Sequence, residues 1–233
     1  MEIRSDFKSI INTAISIIKK PKGFYSQMSQ TGDYIPPLIF VIVMALSSGV
    51  VMLLYSLFGL GLLGGLAAGI GSFFIVTLSA VIGSFIGAAV MFVIWKLMGS
   101  TQSYATSYHC VAFASVSYPV TAVFGVIPYI GSIIGILLGF YLMIIASVEV
   151  HKLEKKTSYI VFGILALLVV ISNISSENAS RRMASNAEKF SQQFQGLGKQ
   201  MENFDEMSPE EAGRALGDFF KGFEQATKDS AKK

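Results

Sequence analysis

The fold is decided by residues 34–95, which read YIPPLIFVIVMALSSGVVMLLYSLFGLGLLGGLAAGIGSFFIVTLSAVIGSFIGAAVMFVIW. These 62 residues contain no Asp, Glu, Lys or Arg. A transmembrane helix needs about 20 apolar residues, so the stretch holds two spans and the turn between them. Residues 97–148 and 157–176 are equally free of these four residue types. Together the three stretches predict a membrane protein.

We predict an all-α, polytopic membrane bundle of five transmembrane helices. The first two uncharged stretches hold two spans each, and the third holds one. Five glycines between Gly59 and Gly69 mark the first turn, because glycine tolerates tight reversals of the chain. The predicted spans are residues 36–58, 71–95, 106–125, 130–149 and 157–174.

The distribution of Lys and Arg predicts the orientation of this bundle. Nine basic residues precede the first span or lie in the second and fourth connections, whereas connections 59–70 and 126–129 have none. The positive-inside rule then places the N-terminus in the cytoplasm, and five spans place the C-terminus outside. Arg181 and Arg182 on the tail oppose this assignment mildly. Trp95 and Tyr104, close to span ends, fit interfacial aromatic anchors.

The chain accordingly divides into three predicted parts. These are a cytoplasmic amphipathic N-terminal segment (1–33), a five-span membrane domain (34–174) and an extracytoplasmic amphipathic helical tail (175–233).

The N-terminal segment contains apolar residues at helical spacing, which predicts an amphipathic helix. These residues are Phe7, Ile10, Ile11, Ala14, Ile17 and Ile18. The sequence Lys19-Lys20-Pro21-Lys22 follows them. Two placements stay open. The helix lies in the anionic cytoplasmic headgroup layer, or it packs against the cytoplasmic ends of the bundle.

The tail differs in composition from the rest of the chain, with ten acidic and nine basic residues between 177 and 233. Its first part has the spacing of a coiled-coil seam, formed by Met183, Ala187, Phe190, Phe194, Leu197, Met201 and Phe204. Ser208-Pro209-Glu210-Glu211 then has the features of a helix start. The two predicted tail helices join near residues 205–208. Three arrangements stay open for them, namely a hairpin, pairing between subunits and a position on the outer membrane surface.

Composition and motifs argue against an enzyme and against nucleic-acid binding. Only 14% of the residues are charged, the formal net charge is +3, and the single cysteine excludes an intramolecular disulfide framework. The spans have no paired carboxylates, no HExxH motif and no serine elbow. We therefore expect no catalytic residues, no cofactor and no metal site.

Glycines at four-residue intervals predict faces where helices pack closely in lipid. Gly83 and Gly87 share a face of the second span, and Gly131, Gly135 and Gly139 share a face of the fourth.

Prolines predict the shape of the third span and of the turn after it. Pro119 lacks a backbone donor and should kink the third span, and Pro128 should shape the turn into the fourth.

Ionisable groups inside spans are the usual functional candidates in a membrane protein. Here the candidates are His109, in the third span, and Glu149, at the end of the fourth. His109 is either a proton-sensitive group or a side chain that reaches interfacial water or a carbonyl. Glu149 is expected to pair with Lys152 or Lys156.

The second half of the membrane domain resembles the Yip family of Rab-GTPase-interacting membrane proteins, especially its bacterial branch. The resemblance rests on YATSYHCVAFA (104–114), Tyr118-Pro119, IPYIG (127–131) and Glu149-Val150-His151. Pro21 followed by Phe24 looks like the entry motif of that branch. The resemblance covers about residues 15–172. It implies a five-span bundle with a cytoplasmic N-terminus, in the inner (cytoplasmic) membrane of a bacterium.

The resemblance also bears on function. Eukaryotic members act in vesicle trafficking and bind small GTPases or membrane proteins. This sequence lacks their long N-terminal region and their Asp-Leu-x-Gly-Pro motif, which argues against small-GTPase binding.

Two hypotheses follow. The first is a non-enzymatic membrane protein that organises membrane protein partners, further copies of itself or lipids of the bilayer. The alternative is a small transporter or channel with a path along the proline-broken third span. That path is lined by His109, Ser115, Ser117 and Thr121.

Overall fold

A computed structural model describes residues 7–29, 32–58 and 66–202, together with 210, 213, 214, 217 and 221. All regular structure in this part of the chain is helical. The helices are α1 (Phe7–Lys19), α2 (Pro21–Ser26), α3 (Ile35–Leu57), α4 (Leu66–Leu97), α5 (Tyr104–Ala114), α6 (Ser117–Phe124), α7 (Ile130–Glu149) and α8 (Lys155–Glu202). The chain forms two compact units, Met1–Glu177 and Asn178–Lys233.

Four of the described helices are long and apolar enough to cross a membrane. The corresponding segments are Ile35–Tyr55, Phe73–Leu97, Ile130–Glu149 and Lys155–Ala187. The prediction of an all-helical, multi-pass membrane protein is therefore confirmed at this level. Helix α4 starts at Leu66, earlier than expected, so Gly69 lies inside the helix instead of the turn.

The predicted third span is divided between two shorter helices. Helix α5 ends at Ala114 and α6 begins at Ser117, so neither has the length of a span by itself. Pro119 is the third residue of α6 and has no N–H to donate. The carbonyl of Ser115 instead accepts from the backbone N–H of Tyr118, at 2.8 Å. The break therefore lies just before the proline.

Helix α5 is the central element of the first unit. It packs against α3, α4 and α7, and nine of its eleven residues are buried. Helix α6 packs between α3 and α7. The shared core contains one large side chain from each of five helices, namely Phe40, Trp95, Phe113, Leu142 and Phe162. Helices α1 and α2 add Ile10, Ile17 and Tyr25 to the same core.

The outer surfaces of α4 and α8 are covered with large apolar side chains. On α4 these include Phe74, Ile75, Leu78, Ile82 and Ile86, and on α8 they include Ile160, Ile164, Leu167, Leu168 and Ile171. Such surfaces fit the hydrocarbon of a bilayer.

The second unit is described only in part. Its portion of α8 extends to Glu202, and Met183 and Ala187 of the predicted seam are exposed. The side chains of the other seam residues lie outside the described part of the chain, as do the expected joint at 205–208 and the apolar residues of the last predicted helix.

The glycines of α7 lie against α6. A β-carbon at Gly131 would stand 2.6 Å from the backbone of Phe124 and Gly125. A β-carbon at Gly135 would overlap the hydroxyl of Thr121. Because neither backbone nor a helix-bound threonine can move far, both positions need hydrogen in place of a side chain.

The remaining predicted packing glycines have more space. Gly139 would place a β-carbon 3.9 Å from Ser117 Oγ, and Gly87 would place one 3.8 Å from Val111. Gly83 has no neighbour within 4 Å. Among the glycines predicted to pack, close approach is therefore confined to the two of α7 that meet α6.

We expect Gly131→Ala and Gly135→Ala each to lower the free energy of unfolding by about 1–3 kcal/mol, because an added methyl overpacks the α6–α7 contact. Gly83→Ala is the matched control, because its methyl enters open space. It should not lower stability, since alanine favours a helix more than glycine does. Unfolding of the detergent-solubilised protein by SDS can be followed through Trp95, the single tryptophan. Equal midpoints for all three variants would contradict the expectation.

Candidate functional site

A buried polar cluster lies at the end of the bundle where α4 and α7 finish. We call it the Trp–His cluster. Its members are Trp95, Ser100, Gln102, Cys110, Ser147 and His151. They come from α4, the α4–α5 connection, α5, α7 and the α7–α8 connection. The cluster thus joins parts of the chain that are far apart in sequence.

His151 is the centre of this cluster and is 4% exposed. Its ring stacks on the indole of Trp95, with centroids 3.9 Å apart and planes inclined by 23°. Nδ1 lies 2.7 Å from Ser100 Oγ, and Nε2 lies 3.9 Å from Cys110 Sγ. One ring face and both ring nitrogens therefore join the α7–α8 connection to α4, to the α4–α5 connection and to α5.

The backbone at the end of α4 directs Ser100 toward His151. Gly99 has φ +97°, a left-handed conformation that glycine adopts without strain. The N–H of Ser100 donates to the carbonyl of Trp95, and the N–H of Gly99 donates to that of Lys96. This pair of bonds is the Schellman arrangement that closes a helix C-terminus.

The end of α7 positions the other half of the cluster. The N–H groups of Val150 and His151 both donate to the carbonyl of Ala146, and Lys152 follows with φ +56°. One turn earlier, the Trp95 indole N–H donates to Ser147 Oγ at 2.7 Å. The Ser147 hydroxyl in turn donates to the Met143 carbonyl. Every polar atom of this pair is satisfied although both side chains are fully buried.

The hydrogen bonds around His151 suit a neutral ring. Ser100 Oγ accepts from the N–H of Gln102, so its own proton is available for Nδ1. The ring proton then lies on Nε2 and faces the sulfur of Cys110. Burial, together with the positive charge of Lys96, lowers the pKa of His151 to about 4. The ring is therefore uncharged at neutral pH.

We expect the free energy of unfolding to fall as the pH is lowered from about 6.5 to about 4. The unfolded histidine binds a proton near pH 6.5, whereas the folded one has its pKa near 4. The stabilisation that comes from keeping His151 neutral is therefore complete above pH 6.5. Between pH 6.5 and about 4 it decreases by up to about 1.4 kcal/mol per pH unit. Unfolding midpoints measured across this range test the expectation.

His151→Phe is the control for this experiment, because it keeps a ring against Trp95 and removes the titrating group. Its unfolding midpoint should depend less on pH than that of the unmodified protein. An identical pH dependence of the two proteins would show that His151 is not responsible.

Helix α2 docks beside the cluster. The hydroxyl of Tyr25 donates to the carbonyl of Cys110 at 3.2 Å, and burial raises the pKa of Tyr25 well above its ordinary value. The ring of Phe24 meets that of Phe113 edge-on at 5.0 Å. Lys22 pairs with Glu149, with Nζ 3.6 Å from Oε1. The ion pair of Glu149 thus reaches back to the N-terminal segment and is not formed with Lys152 or Lys156.

His109 attaches the segment between α2 and α3 to α5. Its Nε2 lies 2.7 Å from the carbonyl of Asp33, and its Nδ1 lies 3.2 Å from the carbonyl of Ser29. Carbonyl oxygens only accept hydrogen bonds, so a neutral ring donates to one of them and an imidazolium donates to both. The Asp33 side chain accepts from the N–H of Ile35 at the start of α3.

A family model described as the Yip1 domain matches residues 15–175. The chain belongs to the Yip family. No curated protein and no solved structure matches it. The matched range begins inside α1 and ends inside α8, so the Yip1 domain includes the whole Trp–His cluster, His109 and the broken element α5–α6.

The arrangement inside this Yip1 domain is suited to holding helices together. Cys110 and His151 have the residue types of a nucleophile and a base, but Cys110 has no exposed surface and His151 has almost none. Among the described residues, no group of three or more His, Cys, Asp or Glu could hold a metal ion. The polar atoms of the cluster bond mainly to one another and to backbone.

Sequence reasoning found some of these residues and missed others. It singled out His109 and Glu149, and both make contacts with the N-terminal segment. Trp95 was expected as an interfacial anchor but is completely buried, because His151 stacks on its ring and Ser147 of α7 accepts its indole N–H. Nothing in the sequence pointed to Ser100 or Ser147, since single serines are common in connections and in membrane helices alike.

Proposed function

We propose that this Yip-family protein is a non-enzymatic membrane protein that crosses the bilayer five times and organises membrane partners or lipids. The packed interior around α5 carries the proposal. The side chains of Thr106, Ser107 and His109 in α5 are buried, as in an anchor. The two hydroxyls bond to Ser103 just before the helix, and His109 bonds to the segment before α3. The bundle then supports contacts made at its surface and by its N-terminal and C-terminal parts.

The ends of the helices support a fifth crossing. Ser100, after α4, and His151, after α7, are in contact, so α4 and α7 finish at the same end of the bundle. The residues between them must therefore cross to the other end, where α7 begins. Residues 104–124 form α5 and α6, and about 20 helical residues span a bilayer core. The Tyr55 hydroxyl, near the end of α3, bonds the Val123 carbonyl, which fits that opposite end.

The same contacts support the orientation. Lys22, Lys96 and Lys152 come from three separate segments that meet at the Trp–His cluster end. Basic residues gather on the cytoplasmic side of bacterial and other membranes. The N-terminal segment is then cytoplasmic. Because five crossings precede the tail, the tail lies outside a bacterial inner membrane.

We expect a membrane-impermeant maleimide to label Arg214→Cys in intact cells and to leave Lys20→Cys unlabelled until the membrane is opened. Both substitutions are made in a Cys110→Ala background, and both positions are exposed. Labelling of both cysteines in intact cells, or of neither, would contradict five crossings with a cytoplasmic N-terminus.

The lipid-facing surfaces give a direct test of partner organisation. Photo-reactive residues can be placed at Leu78 and Ile82 on α4, and at Ile164 and Leu167 on α8, all of which are exposed. In native membranes we expect protein adducts, to another membrane protein or to a second copy, from one of these surfaces. Lipid adducts alone from both surfaces would contradict an organiser of protein partners.

A transporter or channel is the second candidate, and one observation favours it. The Ser115 hydroxyl lies at the break between α5 and α6, is buried, and has no hydrogen-bond partner. Broken helices in transporters frequently line substrate or ion sites. Flux of ions or protons into proteoliposomes separates the two functions. We expect proteoliposomes to show the same flux as empty liposomes. A flux that is abolished by His109→Ala or Pro119→Ala would show instead that the protein is a transporter or channel.

A further inference from the structure

Helix α1 has two apolar faces, and only one of them is used by the bundle. Ile10, Thr13 and Ile17 are buried against the first unit. A second set remains exposed by 40% or more, consisting of Phe7, Ile11, Ile15 and Ile18. At 3.6 residues per turn this set occupies roughly 80° of the helix circumference, next to the buried face. We call it the α1 stripe.

Lysines border the α1 stripe on the side away from the bundle. Around the helix axis, Lys8 and Lys19 lie within roughly 40° of the edge of the stripe. In the sequence, Lys20 comes directly after the last helical residue. Residues 7–32 contain four lysines and no acidic residue. Within the described part of the chain, the ion pair of this segment is the one between Lys22 and Glu149. The other three lysines face outward as a positively charged border.

The position of α1 along the bundle matches the level of lipid headgroups. The helix leads directly into α2, which contacts Glu149 at the end of the spanning helix α7 and Cys110 in α5. A helix at the end of the spans, with an apolar strip and a lysine border, meets acyl chains and phosphates together. Long lysine side chains can extend along the apolar surface to reach the headgroups.

We propose that the α1 stripe inserts into the cytoplasmic leaflet and that Lys8, Lys19 and Lys20 bind the phosphates of anionic phospholipids. The occupant is the bilayer that the protein itself crosses. Charge complementarity favours this occupant over a second copy of the chain, because two such lysine borders would repel each other. The match to the Yip1 domain starts at residue 15, so the first eight of the thirteen residues of α1 lie outside it.

This inference deepens the proposed function, since it names the lipid class that one end of the protein contacts. The lipid contact and the proposed function can be disproved independently of each other. Lipid contact is measured on purified protein without partners, whereas partner organisation is measured by crosslinking in native membranes.

The test uses the full chain in lipid nanodiscs, with a spin label at Ile15→Cys in a Cys110→Ala background. Collision with oxygen reports burial in lipid, and collision with a water-soluble nickel complex reports exposure to water. We expect the label to be buried in nanodiscs of phosphatidylcholine with phosphatidylglycerol and exposed to water in phosphatidylcholine alone. A label at Asn12→Cys, on the polar face, should be exposed to water in both.

Neutralising the lysines should reverse the insertion. Each lysine near an anionic surface contributes about fivefold to binding, so Lys8→Gln, Lys19→Gln and Lys20→Gln together should reduce insertion by about 100-fold. The matched control is Lys152→Gln, Lys155→Gln and Lys156→Gln, which removes the same charge elsewhere. The control should leave the Ile15 label buried in anionic nanodiscs.

Three results would overturn the proposal. The label is exposed to water in both lipid compositions, or it is buried equally in both and in the neutralised variant, or spin–spin broadening shows a second copy of α1 against the stripe. Burial that requires both anionic lipid and the three lysines supports it.

Discussion

The contact between Trp95 and His151 is the constraint on which much of the bundle depends. It brings the end of α4 to the end of α7. The hydrogen bond between Ser100 and His151 extends the contact to the connection that leads into α5. Helix α5 begins a few residues after Ser100, so its first residues lie close to this contact. Helix α2 is attached next to it through Tyr25 and Lys22. One buried aromatic stack therefore organises an entire end of the protein.

At the other end of the bundle, packing depends on small residues instead of large aromatic ones, because two helix backbones approach each other closely. Gly131 and Gly135 let α7 lie directly on α6, where side chains would collide. Helix α6 is short and begins after the break at Ser115, so it can take an angle that a continuous span could not. The break before Pro119 and the glycines after Pro128 thus work together. Close packing replaces the hydrophobic driving force that lipid cannot supply between apolar helices.

The N-terminal segment shows how one helix can serve two apolar environments. The spacing of Ile10 and Ile17 was recognisable as helical, but periodicity treats all apolar positions alike. The structure separates them into a face against the bundle and an exposed stripe. The two placements that the sequence left open are therefore compatible, because the buried face meets the bundle and the exposed stripe is free for the lipid contact that we propose.

By itself, the sequence determined that this is an all-helical membrane protein, because charge-free stretches of 20 residues or more have the length of spanning helices, not of membrane strands. The motifs around Tyr118-Pro119 and Glu149-Val150-His151 indicated membership of the Yip family. Only the tertiary structure decided that Trp95 is buried, that Glu149 pairs with Lys22 and that α7 packs on α6 through its glycines. These outcomes depend on which side chains meet across the bundle. Helical periodicity in a uniformly apolar sequence does not distinguish a face toward lipid from a face toward another helix.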